Sequence, residues 1–237
     1  GAVLNYVVII LNIGVGLLYT PYMLRMLGQN EYGLYSLVAS VISYLTILDL
    51  GLGNAVVRYT AKFRTEGKLQ EQYEMFGMFL CLYACIGFLA MLVGGVLFHS
   101  FDEWFGHSMT MDELEKARLM ILFLIFNVAF TFPMSIFGSI LLAYERFVFP
   151  KVLQIARILL NLVVMIVLLN MGFKAVAMVV VQTIFNILTL VIHFFYCKYK
   201  LGIQLHFRRF RWDLLKEISV YSFWIFLSVI MDRIYWN

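Results

Sequence analysis

Seven stretches of this chain run for about 20 residues with scarcely a charge, at roughly 3–24, 33–57, 75–98, 119–143, 149–171, 175–197 and 214–236. A helix rises about 1.5 Å per residue and the hydrocarbon core of a bilayer is about 30 Å thick, so each stretch is long enough to cross it. The runs are too long for strands and do not alternate strictly, which argues against a β-barrel. Hydrophobic residues make up 63% of the 237 and charged residues 14%, where a soluble domain carries about 25% charged. The same apolar, aromatic-rich composition excludes disorder, and three cysteines exclude a disulfide scaffold. The first run lacks a basic lead and a small-residue cleavage site, so it reads as a span and not as a signal peptide. The fold class expected is all-α, a polytopic membrane helix bundle.

The connections assign the sides. Arg58, Lys62, Arg64 and Lys68 follow span two. Arg146, Lys151 and Arg157 follow span four. Lys198, Lys200, Arg208, Arg209, Arg211 and Lys216 follow span six. These regions hold thirteen of the 18 basic residues. The alternate connections hold only Arg25, Lys116, Arg118 and Lys174, and the loop after span three carries Asp102, Glu103, Asp112, Glu113 and Glu115. Basic loops stay in the cytoplasm, so the N-terminus is expected there, in a multi-pass protein of the cytoplasmic (inner) membrane. The chain opens almost directly on span one and stops where span seven would leave the bilayer, the pattern expected of a fragment.

Polar residues within the spans fall in stripes. Asn127, Thr131, Ser135 and Ser139 recur every four residues on span four, with Pro133 among them as an expected kink. Gln182, Asn186, Thr189 and His193 share a face of span six, and Gln154, Arg157 and Asn161 share one of span five. Span one carries Asn5, Asn12 and Gly16; span two carries Ser36, Ser40 and Ser43. Any one stripe could simply glue helices together. Five stripes in six complete spans point to a bundle that turns polar faces onto a hydrated space. Ala90 and Gly94 on span three form a small-xxx-small pair and read as close packing.

An ionisable group at mid-bilayer costs about 2.5–3.5 kcal/mol on the lenient insertion scale. Asp49 falls in the cytoplasmic third of span two, followed by Gly51 and Gly53, which can loosen the helix. It reads equally as a cation or proton site and as the structural partner of a nearby arginine. Arg157 lies several residues inside span five, Asp232 and Arg233 lie in the outer part of span seven, and Arg25 ends span one. His193 and Cys197 alone do not make a metal site. Cys81 and Cys85 read as packing residues of span three. No nucleophile–base set and no phosphate-binding glycine loop occurs. The basic run 208–216, with Phe207, Phe210 and Trp212 interleaved, reads as an amphipathic segment on anionic lipid and not as a nucleic-acid patch.

Three blocks carry a family resemblance: LLYTPYMLRMLGQNEYGLYSLVAS at 17–40, LDLGLGNAVVRYTAKF at 48–63 and YSFWIFLSVIMDRIYW at 221–236. They resemble the polysaccharide flippases of the MATE-like multidrug/oligosaccharidyl-lipid/polysaccharide exporter superfamily. The resemblance implies a six-helix N-terminal lobe (1–200), a cytoplasmic basic connector (201–213) and the first helix of a second lobe (214–237). It implies a transporter and not an enzyme, one that flips lipid-diphosphate-linked oligosaccharide across the membrane by alternating access. No cofactor is expected beyond a coupling Na⁺ or H⁺, for which Asp49 and Asp232 are the candidates.

Sugar hydroxyls without partners cost several kcal/mol each in hydrocarbon, which gives the polar stripes a purpose. The diphosphate would want cations: Arg58 and Arg157 first, Arg25 after them. Asn127, Thr131, Asn161, Gln182 and Asn186 complete the expected substrate-binding set. The bilayer and polysaccharide-assembly proteins are the expected partners, with no nucleic acid. Rival readings are a cation-coupled multidrug exporter of the same superfamily, a membrane-embedded assembly enzyme, and a structural subunit.

Overall fold

The computed structural model describes residues 2–45, 51–106, 109–207 and 212–236, with the side chains of residue 2, 41–45 and most of 221–236 outside that description. The described residues form the helices α1 (Ala2–Leu27), α2 (Gln29–Leu45), α3 (Leu52–Thr65), α4 (Leu69–Phe105), α5 (Met111–Ala143), α6 (Val148–Asn170), α7 (Ala175–Phe195) and α8 (Trp212–Trp236), with a π-helical turn, Tyr196–Lys200, extending α7. No strand occurs among the described residues. Among the described residues, five helices are long and apolar enough to cross a membrane: α1, α4, α5, α6 and α7 with its π turn. The protein is an all-α, multi-pass membrane helix bundle.

The second expected span is not one helix. It is divided into α2 and α3, and Gly51, at the N-terminus of α3, holds φ at 70°. That left-handed value is free to glycine and strained for other residues, and it interrupts the helical run at Gly51. Other elements outrun the apolar runs that announced them. α4 extends to both sides of 75–98, and α5 begins at Met111 instead of near residue 119. The early start of α5 has a local cause. The Thr110 hydroxyl accepts from the Glu113 N–H (3.4 Å) and the Glu113 carboxylate accepts from the Thr110 N–H (2.9 Å), a reciprocal capping box.

α5 is the central element. It packs on α4, α7, α3 and α2, while α1 leans on α6 and α2 at the edge of the bundle. Most of α1 is turned outward, with Leu17 71% and Leu18 79% exposed, as a lipid-facing helix requires. Between α1 and α6 runs an apolar groove of 570 Å³ lined by residues such as Leu11, Leu18, Leu159 and Ile166.

The α4–α5 seam is set by small residues. Gly87, Ala90 and Gly94 are buried on one face of α4. A Cβ at Gly87 would stand 2.7 Å from the Ala129 carbonyl oxygen, and one at Gly94 would stand 2.6 Å from Ile125. α5 runs on through Pro133. Proline has no N–H to offer the carbonyl four residues back, that of Ala129, and the bare Cα of Gly87 packs against that oxygen. Cys81 and Cys85 are not packing residues as expected. Both are exposed, because the packed face of α4 runs through Tyr83, Gly87, Ala90 and Gly94.

The two ends of the bundle are held by different contacts. At one end Glu31 of α2 meets Lys116 of α5 at 2.7 Å and Lys174, just before α7, at 3.9 Å. It also accepts from the Ala175 N–H at the start of α7 (3.4 Å), and nearby Arg118 pairs with Asp102. At the other end the Arg64 guanidinium donates to the Ala143 carbonyl (3.2 Å) and covers the Tyr144 ring at 4.3 Å. Gln72 Nε2 donates to the Tyr144 hydroxyl (2.7 Å). The segment after the π turn closes this end. The His206 N–H donates to the Tyr73 carbonyl (3.2 Å), Ile203 is buried, and the chain passes so near Gly77 that a Cβ there would meet the His206 carbonyl.

Candidate functional site

Three of the polar stripes meet. α5 offers Asn127 and Thr131, one turn apart; α7 offers Thr183 and Asn186; α6 offers Arg157. Asn186 Nδ2 donates to Asn127 Oδ1 (2.6 Å) and to Thr131 Oγ1 (2.8 Å), and Arg157 Nη1 donates to Asn186 Oδ1 (3.1 Å). Asn127 Nδ2 reaches Thr183 Oγ1 at 3.5 Å, and the Thr131 hydroxyl donates back to the Asn127 carbonyl (2.7 Å). A guanidinium has only donors, so its contact fixes the Asn186 amide with oxygen toward Arg157 and nitrogen toward α5. Asn186 therefore links the cation on α6 to the polar stripe on α5.

Arg157 has no carboxylate partner among the described residues. A guanidinium carries five N–H donors, and the network uses the Nη1 group. The arginine is thus anchored from one side, and the described residues leave most of its hydrogen-bonding capacity unused and its charge without a counter-ion. Such a group in a membrane-embedded seam suits an anion that arrives from elsewhere, and phosphate oxygens match it best.

The other candidates sit around this centre at varying removes. Asn161 lies one turn along α6 from Arg157, and its Oδ1 is buried without a hydrogen-bond partner. Gln182 is exposed on α7, and its Oε1 accepts from the Tyr35 hydroxyl of α2 (3.0 Å). The network draws in neither Arg58 nor Arg25. Arg58 is on the exposed face of α3, 6.0 Å from the Tyr59 ring centre, and α3 packs on α4, α5 and α8. Arg25 is exposed in the last turn of α1. Asp49 lies outside the described residues. Asp232 falls within α8, with its side chain outside them. On α1, Asn5 and Asn12 are exposed, and the Asn12 amide donates to the Val8 carbonyl of its own helix (2.9 Å).

Two features escape a reading of the sequence. Thr183 is hidden beside the polar Gln182 because it belongs to the adjoining face of α7. The Glu31 cluster joins residues 85 and 144 positions apart. Its one local trace is the four-residue spacing of Asp112 and Lys116, which pair at 2.5 Å. Among the described residues no three His, Cys, Asp or Glu side chains gather as metal ligands.

Comparison with known sequences adds an independent line. The whole chain, residues 1–237, matches the family described as "Polysaccharide biosynthesis protein". A protein of Salmonella typhimurium (strain LT2) named "Putative O-antigen transporter" is 27% identical over 109 residues, which is 45% of this chain and 24% of the relative. A protein of the same name from Salmonella typhi is 22% identical over 96 residues, 38% of this chain and 22% of the relative. The matches thus span less than a quarter of either relative's length. No solved structure matches the chain.

Proposed function

The chain belongs to the polysaccharide biosynthesis protein family, and we propose that it forms part of a flippase. The flippase moves lipid-diphosphate-linked oligosaccharide from the cytoplasmic to the outer leaflet of the cell membrane by alternating access. The names of the two relatives support a polysaccharide-transporting role. The observation that carries the reading is the position of Arg157, a cation held by Asn186 within the bundle and left without a carboxylate among the described residues. Arg157 anchors the diphosphate, and the amides and hydroxyls of Asn127, Thr131, Asn161, Gln182 and Asn186 serve the sugar. The lipid tail stays in the bilayer, where the apolar groove between α1 and α6 gives it a path. Arg58 and Arg25 act on the substrate at the two ends of its route. Coupling to Na⁺ or H⁺ through Asp49 or Asp232 belongs to the same proposal, as do a cytoplasmic N-terminus and polysaccharide-assembly proteins as partners.

The multidrug alternative places cationic drugs in the site. A drug exporter of that kind would need carboxylates where this seam presents a guanidinium, and the charge favours an anionic substrate. A transporter is likewise favoured over an enzyme by the relatives' names and by a network of amides and hydroxyls around a single arginine, with no nucleophile paired to a base.

Arg157→Gln in the full-length protein tests the reading. Charge-assisted hydrogen bonds contribute about 1.5–3 kcal/mol, so surface polysaccharide should fall about ten-fold or more at unchanged protein level. Lipid-linked oligosaccharide should accumulate on the cytoplasmic side. Surface polysaccharide undiminished in this variant would remove Arg157 from the mechanism.

A further inference from the structure

Beyond Asn161 Oδ1, one more polar atom on the α6–α7 seam is buried with no hydrogen-bond partner: Nε2 of His193. His193 is seven residues past Asn186, two turns along the same face of α7. The two helices run antiparallel, so the Asn186–Arg157 contact is followed, two turns on, by His193 against Phe149 of α6, with ring centres 6.3 Å apart. His193 therefore stands beside the turns of α6 that lead from Phe149 to Arg157.

The surroundings of the ring are specific. On α6, Arg157 stands two turns further along the seam, at its contact with Asn186, and Lys151 is turned to Gln154 Oε1 (3.4 Å). On α5 the facing residue is Gly138, where an added Cβ would come 3.8 Å from His193 Nδ1. Tyr196 of the π turn stacks on Phe149 at 4.0 Å. No carboxylate pairs with the imidazole among the described residues. A ring nitrogen buried without a partner, two turns along the seam from a guanidinium that no described carboxylate pairs, suits an anion with more than one phosphate, long enough to reach both.

We propose that His193 is the second, conditional cation of the phosphate site, taking up a proton from solvent as a diphosphate binds Arg157 and donating its Nε2–H to it. The proposal rests on the reading of Arg157 as the phosphate anchor and adds a residue and a proton to it. Two neighbouring cations repel each other, and an anion between them removes that repulsion. Anion binding and protonation of His193 must therefore favour one another, and equally in both directions.

The test uses the full-length protein in detergent with farnesyl diphosphate as probe. Calorimetry at about pH 5.5 and about pH 8, on either side of the ordinary histidine range, in buffers of different ionisation heat reads both affinity and protons taken up. The wild type should take up a proton that His193→Gln does not, and should gain about ten-fold in affinity over that variant on going to the lower pH. His193→Lys, a fixed cation, should bind tightly at both values. The diphosphate's own titration is common to all variants and drops out of the comparison. A His193→Gln protein with wild-type proton uptake and pH profile, alongside an Arg157→Gln protein that has lost binding, overturns the role of His193 and leaves the anchor standing. Undiminished binding by Arg157→Gln, or no binding by the wild type, overturns the anchor and this proposal together.

Discussion

Glu31 and Lys116 are separated by 85 positions and meet at 2.7 Å, with side chains only 12% and 23% exposed. The carboxylate also receives the first N–H of α7, at Ala175, where a helix N-terminus favours negative charge. One glutamate thus fastens the starts of α2, α5 and α7 to each other. Removing Glu31 leaves the Ala175 N–H without its acceptor and Lys116 with Asp112 alone.

Glu31→Ala should therefore cost about 1–3 kcal/mol, read as a loss of thermal stability in detergent. Lys174→Ala should cost less than about 0.5 kcal/mol, because that lysine is 61% exposed and 3.9 Å from the carboxylate. The charge-exchanged pair Glu31→Lys with Lys116→Glu should recover only part of the loss, since a lysine cannot accept from Ala175. Equal effects of Glu31→Ala and Lys174→Ala would show that the cluster is a surface ornament.

The α4–α5 seam makes a sharper mechanical prediction. Gly87→Ala drives a methyl against the Ala129 carbonyl, a backbone atom that cannot swing aside. Overpacking of this kind costs about 1–3 kcal/mol. Gly95→Ala has nothing within 4 Å of the new methyl and should be neutral or stabilising by up to about 1 kcal/mol through helix propensity. Unfolding titrations of the two variants check the pair, and destabilisation of both by the same amount would show that the seam is not the cause.

Asn127 and Asn186 should be energetically coupled. A double-mutant cycle with alanine at each site isolates their contact. Hydrogen bonds between membrane helices average about 0.6 kcal/mol with a maximum near 1.7 kcal/mol. The upper half of that range is expected here, because the same Asn186 amide also holds Arg157. A coupling of zero would mean that the network is broken and remade without consequence.

Much of this architecture was legible in the residues. Three-residue and four-residue steps placed Asn127, Thr131, Asn186 and Arg157 on definite faces, and those faces do meet. Ala90 and Gly94 announced a close helix contact, and the structure supplies its partner, α5. Gly51 was marked in the sequence as a residue that can loosen span two, but hydropathy still drew 33–57 as one span, because a bilayer-length apolar run reads the same whether its helix is continuous or divided. Hydropathy also missed the first two turns of α5, whose polar residues hid a Thr110–Glu113 cap. The Glu31 cluster was invisible for another reason: tertiary contacts over 85 and 144 positions leave no periodic trace. Likewise, spacing places Arg58 on a helix end but cannot tell that α3 turns it outward, away from the network.

The stripes were expected to face water, and the structure divides that expectation between residues. Asn127, Thr131 and Asn186 satisfy one another across α5 and α7, so they act as glue in the conformation seen. Gln182 on the same stripe is exposed, and exposure in a membrane protein means water or lipid. Single cysteines in a background lacking Cys81, Cys85 and Cys197 separate the two. A charged, membrane-impermeant maleimide should label Gln182→Cys at least about ten-fold faster than Asn127→Cys or Thr131→Cys, since the thiolate that reacts forms readily only in a hydrated site. Adding the diphosphate probe should slow labelling at Asn161→Cys, whose position flanks Arg157. If Gln182→Cys reacts only with a lipid-soluble maleimide, the exposed face is greasy, and the hydrated path for a sugar loses the wall that this chain supplies.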